Sequence, residues 1–139
     1  MNDMGVLGVL VWMLLAASPA HACDCSPSDA QAAERISATL DSWPSIYATY
    51  VRYGQCGDGV ISEGFTESVV HLLASQWGSL REAQSLIAKD PLFQRFIVSH
   101  INPSADISEL AVVAALASQQ CPSSARLLCR QIREAALEQ

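Results

Sequence analysis

Tyr53 to Trp77 reads YGQCGDGVISEGFTESVVHLLASQW, and its two halves decide what kind of fold this chain adopts. The first half is a glycine-rich turn. Gly54, Gly57 and Gly59 permit backbone angles closed to other residues, so the chain can bend sharply around Cys56. Asp58 stands where an N-cap belongs, its carboxylate placed to accept from amides of the first helical turn. Ile61, Phe65, Val69, Leu72, Leu73 and Gln76 then recur at helical spacing, all but the last apolar. Glu63, Glu67 and His71, each four residues apart, share the opposite side. Gly64 in a helix interior costs about 1 kcal/mol against alanine. Its expected use is the close approach of a neighbouring helix.

Two ligand readings of this stretch fail on chemistry. A calcium loop with Gly59 as its invariant glycine would place Gly54, Cys56 and Phe65 where oxygen ligands belong, leaving only Asp58 and Ser62 to coordinate. A carboxylate-bundle metal site wants Glu-x-x-His, and Ser68 stands three before His71. No metal and no cofactor is therefore expected.

Working outward, residues 1–22 read as an export leader. Val6 to Ala17 is apolar, too short to span a bilayer, and Ala20-His21-Ala22 offers small residues for cleavage. The leading MNDMG lacks the basic residue that such leaders usually carry. Cleavage before Cys23 leaves 117 residues, enough for one domain, 23–139, with a single core. Thirteen acidic residues then face eight basic ones, a formal charge of −5. That balance argues against nucleic acid or an anionic membrane surface as partner. Membrane attachment would need lipidation of Cys23, whose upstream motif has Ala20 where leucine is usual. Arg126, Arg130 and Arg133 fall on one side of the last helix and read as a solvated face.

Cys23, Cys25, Cys56, Cys121 and Cys129 remain in the processed chain, and in an exported protein they are bridges first. Cys121 and Cys129 are expected to pair. Within one helix they would lie about 12 Å apart, beyond disulfide reach. Pro122 disfavours helical angles at Cys121, and Ser123 or Ser124 can cap a helix starting just after, so Cys121 can fold back. Cys56 then pairs with Cys25 or Cys23.

The remainder reads as helices with short joints. Ser28 to Ser42 is the first, with Ala32, Ile36, Leu40 and Trp43 along one side. Pro44 opens the second, whose tyrosines read as packing residues. Leu80 to Lys89 and a helix capped by Asp90 and begun by Pro91 follow. His100 ends the apolar line of Phe93, Phe96 and Ile97 and reads as a structural histidine, with Asp106 as candidate partner. Asp106 and Glu109 form a capping box, and Leu110 to Ala117 is apolar on every side, which predicts a central helix. No strand alternation occurs. The expected fold is all-α, a compact disulfide-stabilised bundle of six or seven short helices.

YGQCGDGVISEGF, the run DPLFQRFIVSHI with its capping-box helix, and CPSSARLLC, taken as an ordered set, resemble a family of small, exported, all-helical proteobacterial proteins. The likeness covers roughly Ile46 to Ile132. It implies a single helical domain and an envelope location, and it brings no activity and no catalytic residues. In size, location and helix content the chain is also similar to the immunity proteins that block toxins of rival bacteria.

The expected function is that of a periplasmic or secreted protein acting through protein–protein binding, with toxin neutralisation its most concrete form. The polar side of the long helix (Glu63, Glu67, His71) and the turn bearing Gln55 and Asp58 are the candidate binding residues, suited to a basic protein surface. A homodimer is compatible with this reading. An envelope structural role is the alternative. A hydrolase is the weaker one: no nucleophile-elbow or zinc motif occurs, Cys56 reads as bridged rather than nucleophilic, and Glu63 with His100 is the best constellation on offer.

Overall fold

The computed structural model describes residues 24–138; the expected leader and Cys23 lie outside them. Seven helices follow in order: α1 Pro27–Ser37, α2 Trp43–Tyr53, α3 Gly59–Ser75, α4 Leu80–Lys89, α5 Pro91–Ser99, α6 Ile107–Gln119 and α7 Arg126–Leu137. Three single 3-10 turns join them, at Gly54–Cys56, Trp77–Ser79 and Ser123–Ala125. The described residues contain no strand, so the all-α expectation holds, and none of their helices is long and apolar enough to cross a membrane.

Local chemistry sets most boundaries. Ser42 caps α2 through a reciprocal box with Ser45, just ahead of Pro44. Asp90 accepts from the Leu92 amide at 3.1 Å, and Pro91 opens α5. α1 departs from expectation by stopping at Ser37, five residues early. The amide and hydroxyl of Thr39 both donate to the Ile36 carbonyl, at 3.0 Å each, and take the acceptor a continuing helix would use. Its buried side also differs: Ala33 and Ser37 face inward, and Ile36 is exposed.

The turn around Cys56 is simpler than its three glycines suggest. Only Gly59 has positive φ, at 51°, whereas Gly54 sits in the right-handed helical region. Asp58 does occupy the N-cap of α3, but its carboxylate makes no capping bond and stays in solvent. Its backbone carbonyl instead accepts from the Ile61 amide at 3.2 Å.

α3 is the central helix. Ile61, Phe65, Val69, Leu72 and Leu73 are buried as the periodicity requires, and so are Gly64, Thr66, Ser68 and Val70. Helices α1, α2 and α6 pack around it. At the α1 crossing, Ser68 Oγ donates to the Ser37 carbonyl at 2.7 Å. α6, expected in the middle, is peripheral, with Leu110, Val113, Ala114 and Ala117 inward and Ala111, Val112 and Ala115 outward. It lies between α3 and α7.

An aromatic seam joins α2, α3 and α5. Tyr47 meets Phe93 edge-on at 4.9 Å, Tyr50 meets Phe96 at 4.6 Å, and Phe65 meets Phe96 edge-on at 5.0 Å. Both buried indoles are satisfied: Trp43 Nε1 donates to Ser79 Oγ and Trp77 Nε1 to the Gln120 carbonyl, each at 2.9 Å. These two bonds tie the corner after α3 to α2 and to the end of α6.

Two disulfides close the fold, Cys25–Cys56 and Cys121–Cys129. Cys121 lies outside α7 and folds back to within 6.0 Å, Cα to Cα, of Cys129. Ser123 and Ser124 do not cap that helix; they form the 3-10 turn before it, and the Ser124 carbonyl accepts from Gln84 Nε2 at 3.0 Å. Two bridges in so small a chain belong to an oxidising environment.

Candidate functional site

The polar side of α3 does not face open water along its whole length. Glu63, Glu67 and His71 form one wall of a cleft of about 720 Å³, and Ser104, Ala105, Asp106, Ser108 and Glu109, at the start of α6, form the other. His71 Nδ1 lies 2.7 Å from Glu109 Oε1 and bridges the two walls. The His71 side chain is 63% exposed, so solvent weakens this pair to the order of 1 kcal/mol or less. Four carboxylates therefore line this cleft, from Glu63, Glu67, Asp106 and Glu109, together with one imidazole.

Asp106 anchors the second wall. Its Oδ1 accepts from the amides of Ser108 and Glu109, at 2.8 and 3.1 Å, and from the Ser108 hydroxyl. These bonds hold its carboxyl below the usual range, the Ser108 hydroxyl contributing most. The expected capping box is thus only half formed. Glu109 turns away from the Asp106 amide because His71 offers it a partner across the cleft.

From Ser104 on the cleft wall a chain of hydrogen bonds runs inward through Asn102 and Thr66 to the buried His100. His100, 8% exposed, packs against Phe96 and Phe65 and sets Nδ1 3.1 Å from Thr66 Oγ1. Asn102 Nδ2 donates to the same Thr66 oxygen at 3.1 Å. Asn102 Oδ1 in turn accepts from the amide and hydroxyl of Ser104, at 3.0 and 2.7 Å. The expected partner, Asp106, is not the one used, because the α6 cap occupies it. Burial pushes the His100 pKa down from 6.5 to about 4, against a hydrogen bond with the Ser62 backbone that acts the other way.

This depression has a consequence for acid stability. As pH falls, the unfolded chain takes up a proton at His100 near 6.5 and the folded chain only near 4. Stability from the neutral imidazole is therefore complete above the unfolded value and lost as pH drops towards 4, about 3 kcal/mol in all. Urea melts between about pH 7 and about pH 4.5 should show this slope, and His100→Gln should flatten it. Equal slopes in the two proteins would assign the acid sensitivity to other groups.

The remaining sequence candidates separate. Gln55 and Asp58 are exposed before and at the start of α3, and neither lines the cleft. Gln55 Nε2 donates to the Arg52 carbonyl at 3.1 Å. Glu63 and His100 are not brought together: Glu63 lines the cleft, His100 does not, and no hydrogen bond or ion pair joins them. Among the described residues no three His, Cys, Asp or Glu side chains are grouped as a metal site requires. The second wall was missed in the sequence because Asp106 and Glu109 look like local capping residues; nothing in their spacing places them opposite α3. Compared with family models, curated proteins and solved structures, the chain has no match in any of the three.

Proposed function

We propose that this is an exported, periplasmic binding protein that takes a basic protein surface into the cleft between α3 and α6. Neutralising a toxin or effector, in the manner of an immunity protein, is the most concrete form of that activity. The observation that carries the reading is that Glu63, Glu67, Asp106 and Glu109 line one cleft, with His71 beside them and no lysine or arginine among the lining residues. Acidic side chains at that density attract a basic partner from a distance, speed its encounter and orient it. The two walls come from helices packed on one core, so little ordering is required on binding.

Glu63→Arg with Glu67→Arg tests this directly. Both side chains are exposed, so the fold and its melting temperature should stay close to the parent's. Capture of a basic partner from periplasmic extract should fall by about 100-fold or more. Capture at parental strength would show that the cleft is not the interface.

A further inference from the structure

The outer face of α6 has no role in the folded chain. This helix of 13 residues carries a single charge, Glu109, whose carboxylate turns into the cleft. Ile107 is 78% exposed and Val112 45%, and Ala111 and Ala115 are exposed beside them. Ile107, Ala111 and Ala115 recur every four residues, so they form one apolar line along the helix. Other helices carry charge on their exposed sides: Glu34 and Arg35 on α1, Arg81 and Glu82 on α4, Arg130 and Arg133 on α7. Alanine at two successive turns lets a second backbone approach closely.

The two ends of this line differ in charge. Beside its N-terminal end, on the α3 side, lies the acidic cleft. Beside its C-terminal end, on the α7 side, a shallower groove of about 340 Å³ holds Arg126, Arg130 and Arg133 next to Ser118 and the Cys121–Cys129 bridge. Among the described residues no carboxylate lines that groove and none pairs with any of the three guanidinium groups, in a chain with an excess of acids. Spaced four and three residues apart, they share one face of α7 over about 10 Å.

We infer that this face binds a second copy of the same chain. The two α6 helices cross in roughly opposite directions, and the acidic cleft of each copy sits on the arginine groove of the other. A two-fold axis perpendicular to the line joining the charged ends carries each end onto its opposite in the partner, so the charge contact forms twice. α6 is about 20 Å long, and with α3 and α7 on centres about 10 Å apart the face has an outline on the order of 600 Å². A standard interface buries about 800 Å² per partner, so the outline is of the right scale. The arginine groove is a basic protein surface, so the inference rests on the cleft reading above and names a partner for it. It also accounts for the apolar character of Leu110 to Ala117 on every side: the monomer buries one side and the dimer the other.

Sedimentation of the disulfide-intact chain at low salt should show a dimer that dissociates on dilution and on adding salt. Val112→Glu places a charge at a position already exposed, so the fold should survive and dimerisation should weaken by about 100-fold or more. Glu63→Arg with Glu67→Arg, and separately Arg126→Glu with Arg130→Glu, should each weaken self-association, and mixing the two proteins should restore a heterodimer. A parent chain that sediments as a monomer at every concentration overturns the dimer, whether or not the cleft captures a foreign basic protein. A dimer abolished by Val112→Glu but untouched by either charge reversal overturns the charge pairing, and the cleft reading falls with it only if capture of a foreign basic protein is also unchanged by Glu63→Arg with Glu67→Arg.

Discussion

Gly64→Ala should destabilise this protein by about 2 to 3 kcal/mol and lower its melting temperature by about 10 °C, although the same change in an open helix would stabilise it by about 1 kcal/mol. A Cβ at Gly64 would stand 2.3 Å from Ser37 Oγ and 3.0 Å from both Ser37 Cβ and the Ala38 backbone nitrogen. The hydroxyl can rotate away, but the backbone nitrogen can move only if α1 moves. Gly64→Val should cost more, because its branched carbon meets the same wall. Ser37→Ala alone should be close to neutral, since the Ser37 hydroxyl is buried without a partner. Combined with Gly64→Ala it should recover part of the loss. Gly78→Ala is the control: nothing lies within 4 Å of a Cβ there, so its effect should be small. A Gly64→Ala protein melting at or above the parent would mean that α1 is not seated on α3 at this crossing.

That crossing was partly legible in the sequence. A glycine inside a strongly periodic helix points to a close neighbour, and the neighbour is α1. Which residue of α1 meets it was not legible, because the one large apolar residue of PSDAQAAERIS, Ile36, turns outward, and Ala32 and Ala33 differ only in which way they turn. Ser37 breaks the pattern altogether, as a polar residue buried by a contact made 27 positions later. The reversal of α3 and α6 has a related cause. LAVVAALA reads as core on every side, yet alanine is the best helix former and costs little when exposed, so such a run also suits an outer helix. In α3, Thr66 and Ser68 fall outside the apolar line read from the spacing. Both are buried because His100, Asn102 and the Ser37 carbonyl satisfy them across 31 to 36 residues of sequence.

The cleft divides in the same way. Glu63, Glu67 and His71 share a face by helical spacing, so that wall could be read from local periodicity alone. Asp106 and Glu109 carried a strong local signal, the N-cap, and this obscured their second role. Asp106 does cap α6, but Glu109 gives up its half of the capping box to reach His71. Spacing along one helix could not reveal a choice between a local amide and a distant imidazole.

Replacing Cys25 and Cys56 with alanine should cost about 3 to 4 kcal/mol, more than the about 2 to 3 kcal/mol expected for Cys121 and Cys129. The two bridges span 31 and 8 residues of sequence, and the longer loop gains more conformational freedom when opened. The structures they hold differ as well. α7 buries Leu128, Ile132 and Ala136, so it keeps an apolar grip on the core without its bridge. α1 buries only Ala33 and Ser37, and its largest apolar side chain, Ile36, is exposed. With so little apolar surface to bury, α1 depends on the tether at Cys25 and the crossing at Gly64. Opening the first bridge should therefore loosen α1 well before the rest. Hydrogen exchange in the doubly substituted protein should show amide protection lost across residues 27–37 while α5 and α7 keep theirs. Loss of protection spread evenly over all seven helices would mean that the bridge stabilises the fold only as a whole and that α1 has a firmer seat than its two buried residues provide.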